Sequence, residues 1–464
     1  MRMIRSLLVA LSVTVALPAM TVTAMAQNAP GTAPQDQAAP AGQEAAPLEV
    51  SVTGGVSAPM PIAIPAMPTA QVVSTPAGST DVLGRQMADI IANDLRNSGL
   101  FTPLGGNQLR PVGFQEVNAP AFDYWGGTGA QALVQGFVRA NGDGNLTIGC
   151  YLYDVFSKVE LTRSGFVVSP GDWRRAGHKC ADMVYARLTG EGPYFDSRVV
   201  YVSETGPKGK RIKRLAIMDQ DGANHRFLTN GQSIVLTPRF APNQQSIVYM
   251  SYENDRPSIY VYDLGSGRPR RVVQNVSLTF APRFSPDGRY ILFSMAQGGN
   301  TDIYRVSSQG GTPQRLTTSP GIDTGGSYSP DGSRIAFESD RSGGQQIYVM
   351  NADGSNQQRI SFGGGRYATP VWSPRGDLIA FTKLGGAFRI GTMSPSGGAE
   401  KILTSGQDEG PSWSPNGRVI TFYRAGQGSG GKADLRMVDL TGQVERAIPT
   451  PLDGSDPAWG PLRP

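Results

Sequence analysis

TPRFAPN (237–243), APRFSPD (281–287), GGSYSPD (325–331), TPVWSPR (369–375), GPSWSPN (410–416) and DPAWGP (456–461) are six copies of one pattern in the second half of the chain. The last proline of each copy, Pro242, Pro286, Pro330, Pro374, Pro415 and Pro461, follows the one before in steps of 44, 44, 44, 41 and 46 residues. A period of this length, with turn signals between short alternating strands, predicts a β-propeller with one four-stranded blade per repeat. After each S-P turn comes a strand such as YILFSM (290–295) or RIAFES (334–339). A second follows, such as QIYVMN (346–351), then a Gly-containing turn and a fourth strand such as EKILTS (400–405). Blades stack face to face, so both sheet faces are largely buried, and Val, Ile, Phe and Tyr suit both.

The two ends of the array are out of phase. RVVYVS (198–203) and RLAIMD (214–219) lack an S-P strand before them, and DPAWGP has nothing after it. Joined, they complete a sixth blade and leave few free sheet edges. The expected organisation is an all-β six-bladed propeller over 196–464, preceded by a small α/β domain over 48–195. In that domain 81–99 and 171–190 predict helices. LEVSVTG (48–54), 130–140 and 145–155 predict strands, the last two joined by Asn141-Gly142-Asp143-Gly144. Val82, Met87, Ile90, Ile91 and Leu95 are expected near one apolar face, with Asp81 as cap.

Before these, two arginines, an apolar run and Ala24-Met25-Ala26 read as a secretory signal over 1–26. Residues 27–47 are Ala, Pro, Gln and Gly and predict a disordered arm. No later run is long and apolar enough for a membrane span, so a soluble periplasmic protein is expected. The net charge of +5 falls to +3 without Arg2 and Arg5. That is too weak for a nucleic-acid reading, and KGKRIKR (208–214) reads as a solvated edge.

The chemistry is sparse. His178 and His225 are the only histidines and fall in different domains, without metal-ligand spacing. No G-x-S-x-G occurs, so the nucleophile of propeller-bearing peptidases is not encoded. Asp219-Gln220-Asp221-Gly222 resembles the start of a calcium loop, but Asn230 stands where the bidentate Glu belongs, so it reads as a turn. Gly127-Thr128-Gly129 runs into a strand and reads as a loop. Cys150 lies on the face of Leu146, Ile148 and Leu152; Cys180 lies on the stripe of Trp173, Ala176, Gly177, Met183 and Val184. Both point into one core, as a structural disulfide or as two buried thiols, and an oxidising compartment favours the bond. No cofactor or metal is expected.

ANDLRNSGLFTPL (92–104), DWRRAGHKCADMVYARLTG (172–190) and DSRVVYVSE (196–204), with the domain order above, resemble the TolB family of the Tol-Pal cell-envelope system. The resemblance covers about residues 48–461. It implies a non-enzymatic periplasmic scaffold that supports outer-membrane integrity and cell division. Its propeller would bind the lipoprotein Pal at the channel mouth, and its N-terminal mature segment would bind TolA. In the family that segment begins close to the first strand; here the arm precedes it. The TolA contact is therefore expected at Leu48, Glu49, Val50, Ser51, Val52, Thr53 and Gly54, through strand addition. A monomer is expected.

The innermost strand of each blade carries the S-P motif, so the residues before it are expected in the loops that rim one mouth. These are Leu278, Thr279, Phe280, Asp323, Thr324, Tyr367, Ala368, Thr369, Asp408, Glu409 and Asp456. Thr324 matches a partner-contacting threonine of the family; Phe280 and Tyr367 are expected as aromatic anchors. The competing readings are a solute- or glycan-binding propeller and, third, an enzyme using Asp408 and Glu409. Adjacent strand residues face opposite ways, which argues against the enzyme.

Overall fold

The computed structural model describes residues 58–464 except 106–108, 208, 254–255, 274–277 and 427–430. The expected signal, arm and Leu48–Gly54 strand lie outside the described residues.

The small domain is a five-stranded sheet ordered Phe101–Gly105, Met60–Ile64, Ala132–Ala140, Leu146–Asp154 and Val159–Val168. Met60–Ile64 pairs in parallel with both of its neighbours, and the remaining pairs are antiparallel. Two helices, α1 (Thr80–Asn97) and α3 (Trp173–Thr189), pack on one face. The short α2 (Phe122–Gly127) brings Trp125 to the other. Met87, Ile90, Ile91 and Leu95 of α1 are buried as the periodicity predicts, but Val82 is exposed, because it falls off the stripe of Leu83, Met87 and Ile91. Asp81 does not cap α1 from the N-cap position, which Ser79 occupies. Gly190 ends α3 in the left-handed conformation, φ 69°, which a glycine adopts without a Cβ penalty. A disulfide joins Cys150 to Cys180, with Cα atoms 5.9 Å apart, and ties the sheet to α3.

The second part is a ring of six four-stranded antiparallel sheets. Blades 1 to 5 begin with first strands Val235–Phe240, Thr279–Phe284, Asp323–Tyr328, Arg366–Trp372 and Asp408–Trp413. The closing blade takes its first strand, Asp453–Leu462, from the C-terminus and pairs it with Ser197–Thr205, from Asp453 opposite Glu204 to Leu462 opposite Ser197. The six first strands touch one another around the ring and line its channel.

One hydrophobic core runs through both parts: α1 and α3 side chains share a cluster with Tyr194, Phe195, Val199, Met437 and Trp459. The linker is fastened on both sides. Asp182 of α3 accepts backbone N–H bonds from Tyr194, Phe195 and Asp196 at 2.7, 2.8 and 3.0 Å. Glu191 pairs with Arg375 and Arg418 on the S-P turns of blades 4 and 5.

Candidate functional site

Every first strand is kinked at the same place. Thr237, Ala281, Gly325, Thr369, Gly410 and Asp456 all take positive φ, between 49° and 69°. The pairing with the second strand slips at each of them. Four of the six are not glycine, so local strain is accepted in each blade to place a bulge in the channel wall. The bulge divides the channel into a level at the strand starts and a level at the S-P turns.

The expected rim residues lie around the strand-start level, but most belong to strands rather than loops. Thr279, Asp323 and Asp408 open their strands and are buried. Asp323 pairs with Arg341 at 2.7 Å and Asp408 with Arg424 at 2.6 and 2.9 Å, so these carboxylates hold blade edges together. Tyr367 is 0% exposed and packs edge-on against Phe381, with ring centroids 5.2 Å apart. It is a core residue, which corrects its expected role as a surface anchor. Thr324 is buried too; its hydroxyl donates to Glu338 Oε1 at 2.5 Å. Glu338 in turn accepts the Thr369 N–H at 2.8 Å, bridging blades 3 and 4. Leu278 is exposed, and Phe280, Ala368, Thr369, Glu409 and Asp456 are half-buried. Burial holds the Glu338 and Glu409 carboxyls above their ordinary range, with the Asp456 charge adding to the effect at Glu409.

The position three residues before each positive-φ residue holds a signal largely absent from the expected rim. Blades 1, 2 and 3 carry Ile234, Leu278 and Ile322 there, exposed by 47%, 44% and 50%. With half-buried Leu236 and Phe280 they form an apolar arc on one half of the mouth. The corresponding residues of the other three blades are Arg366, Gln407 and Asp453. The repeat column held the signal; only its Leu278 was read.

The S-P level is different. The channel opens there into a cavity of about 540 Å³, collared by the six prolines and by edges of Phe240, Phe284, Tyr328, Trp372, Trp413 and Trp459. Arg239 and Arg283 line its wall. Neither histidine reaches it.

A second polar assembly sits where the two parts meet. His178 Nδ1 lies 2.6 Å from Asp94 Oδ2, and Gln220 donates to Asp94 Oδ1 at 2.8 Å. His178, Asp219 and Asp221 bring ligand-type atoms within 4.8 Å of one another, a grouping the sequence reading, which found no metal spacing, did not anticipate. Each is already engaged: Arg174 pairs with Asp221 at 2.5 Å, Arg463 lies 3.5 Å from Asp219, and Asp94 holds His178. Burial works against the charged imidazole, but the Asp94, Asp221 and Asp219 carboxylates outweigh it and raise its pKa to about 9. A protonated imidazole between carboxylates is an ion-pair clamp rather than a ligand set. The Asp219–Gly222 stretch is a turn, as read, closed by the Gly222 N–H bond to Asp219 O.

The chain matches the family model of the TolB amino-terminal domain over residues 48–161 and that of the TolB beta propeller domain over 185–463. It is 71% identical over 446 residues to the Tol-Pal system protein TolB of Zymomonas mobilis, covering 96% of this chain and 97% of that one. The counterpart in Rhizorhabdus wittichii is 73% identical over 428 residues, covering 92% and 97%. Among solved structures, TolB from Acinetobacter baumannii superposes with a TM-score of 0.75 at 29% identity, covering 87% of this chain and 97% of the other. With its propeller, its small α/β domain and these relatives, the chain belongs to the TolB family of the Tol-Pal system.

Proposed function

We propose that the protein is a non-enzymatic, monomeric periplasmic scaffold linking the outer-membrane lipoprotein Pal to inner-membrane TolA, and that it supports outer-membrane integrity and envelope constriction during division. Pal docks at the strand-start mouth. The observation that carries this reading is the apolar arc of Ile234, Leu278 and Ile322 facing a polar half-rim of Arg366, Gln407 and Asp453. Exposed apolar groups rimmed by polar ones mark interaction surfaces, and a few apolar anchors dominate such interfaces. Thr324 and Glu338 lie beneath and keep the mouth rigid. TolA takes the segment Leu48–Gly54. Among the described residues no helix is long and apolar enough to cross a membrane.

The test is calorimetric titration of Pal against a Leu278→Ser, Phe280→Ala, Ile322→Ser variant. Tyr367 is left intact because its loss would damage the core. Affinity is expected to fall by roughly 100-fold or more, as for loss of interface hot spots, with thermal unfolding little changed. Undiminished Pal binding would move the site elsewhere and favour the solute-binding reading.

A further inference from the structure

Arg239 and Arg283 occupy equivalent places in the first strands of blades 1 and 2, two residues past the bulge. Both line the proline-collared cavity. Among the described residues neither forms an ion pair. Arg239 spends one N–H on the carbonyl of its own neighbour, Pro238, at 2.7 Å, and its Nε is buried without a partner. The nearest compensation is Asp456, which attracts Arg239 from the strand-start level, where it accepts the Thr237 N–H. Arg283 has none, and Arg239 repels it; burial first, and that like charge second, push its guanidinium well below its ordinary range. Other half-buried arginines of the propeller are answered by carboxylates, as Arg341 is by Asp323 and Arg424 by Asp408, or by backbone carbonyls, as Arg198 is by Gln244 and Arg446 by Arg96.

Two guanidiniums in a recess are costly to keep together unless an anion joins them. Arginine stays protonated and presents a planar fork that matches a carboxylate. Aromatic edges and proline rings make most of the remaining wall, with Ser285, Ser327, Ser373, Ser412 and Ser414 set between them. The cavity's size, and its polar groups within a mostly apolar wall, are those of small-ligand sites.

We propose that the proline-collared end of the channel binds a carboxylate carried on an apolar body. Arg239 and Arg283 take the carboxylate, and the collar of Phe240, Phe284 and Trp413 takes the body. This goes beyond the scaffold role, whose docking mouth lies at the other end of the same channel. The carboxylate comes either from a free small acid or from the end of a peptide chain. The recognition chemistry is the same for both.

N-acetyl-phenylalanine, its amide, and a hexapeptide ending in free phenylalanine are titrated into the full-length protein at fixed ionic strength, with saturation-transfer NMR as readout. The two acids are expected to bind, and the amide to bind roughly tenfold or more weakly, since it lacks the charge-assisted bonds. Inorganic phosphate is expected to compete. Arg283→Met, which removes the charge and keeps the bulk, is expected to abolish acid binding while its thermal unfolding stays at or above that of the parent. Tighter binding of the hexapeptide identifies a chain end as the ligand; tighter binding of the small acid identifies a free solute. Equal binding of acid and amide, no binding of any probe to the parent protein, or full acid binding by a folded Arg283→Met variant would overturn the proposal.

Discussion

His178 of the small domain holds Asp94 of α1 at 2.6 Å, and the same carboxylate reaches Gln220 of the propeller at 2.8 Å. One buried carboxylate is thus shared by the two parts of the molecule. His178 is raised from 6.5 to about 9 in the folded state. A group raised by folding stabilises fully below its unfolded value and loses that contribution as pH climbs through its folded value. Stability is therefore expected to decline between about pH 6.5 and pH 9. The loss is on the order of 3 kcal/mol, as 1.36 kcal/mol per pH unit implies. His178→Gln should flatten this decline; the check is thermal unfolding of both proteins from pH 6 to pH 9.5. Asp94, Asp219 and Asp221 face the imidazole, and Arg174 pairs with Asp221, so an unchanged profile in the variant would place the titration on another group.

Ring closure makes a second prediction. Trp459 is buried in the closing strand, and its indole N–H donates to Ser197 Oγ at 2.8 Å. Trp459→Ala is expected to cost about 3–5 kcal/mol, the range for a buried tryptophan. Deleting 455–464 should open the ring and broaden or abolish the cooperative transition. Denaturant titration followed by fluorescence distinguishes the two variants from the parent.

Much of this was legible in the sequence, and the misses are instructive. The S-P copies placed the first strands and the closing blade because a repeat reports the same local solution several times. They did not report depth. Tyr367 and Asp323 stand one column after Ile322 and Arg366, and that one-residue step turns a side chain from the mouth into the sheet. In the small domain, Met60–Ile64 and Phe101–Gly105 carry prolines and a glycine and so resist a strand reading. Asp94, His178 and Asp219 come from three distant segments, and nothing local announces that they meet.

The disulfide makes a third prediction. It links Cys150 to Cys180, 30 residues apart, beneath the same core that receives Trp459. Closing a loop of that length is expected to add about 2–4 kcal/mol. A Cys150→Ala, Cys180→Ala protein should fold with a correspondingly lower urea midpoint and keep its propeller-mouth binding. A midpoint equal to the parent's would show that the bond contributes nothing to stability.

The N-terminal segment makes the last. Strand addition uses backbone hydrogen bonds, so its affinity depends on having the segment more than on its side chains. Removing 48–54 is expected to abolish TolA binding in a pull-down, whereas removing 27–46 should leave it nearly intact. If the second deletion does the damage, the contact lies in the arm.

The closing strand also has a mechanical meaning. It pairs along Ser197–Thr205, directly after the linker that Asp182 grips, and its end is bonded back to the same place: the Arg463 N–H meets Asp196 O at 2.9 Å, and Arg175 meets the Pro464 carbonyl at 2.8 Å. A pull that separates the small domain from the propeller is therefore delivered first to the seam that keeps the ring shut. Antiparallel strands anchored at both ends meet such a load with many hydrogen bonds at once. The ring is closed at the point where tension would enter it.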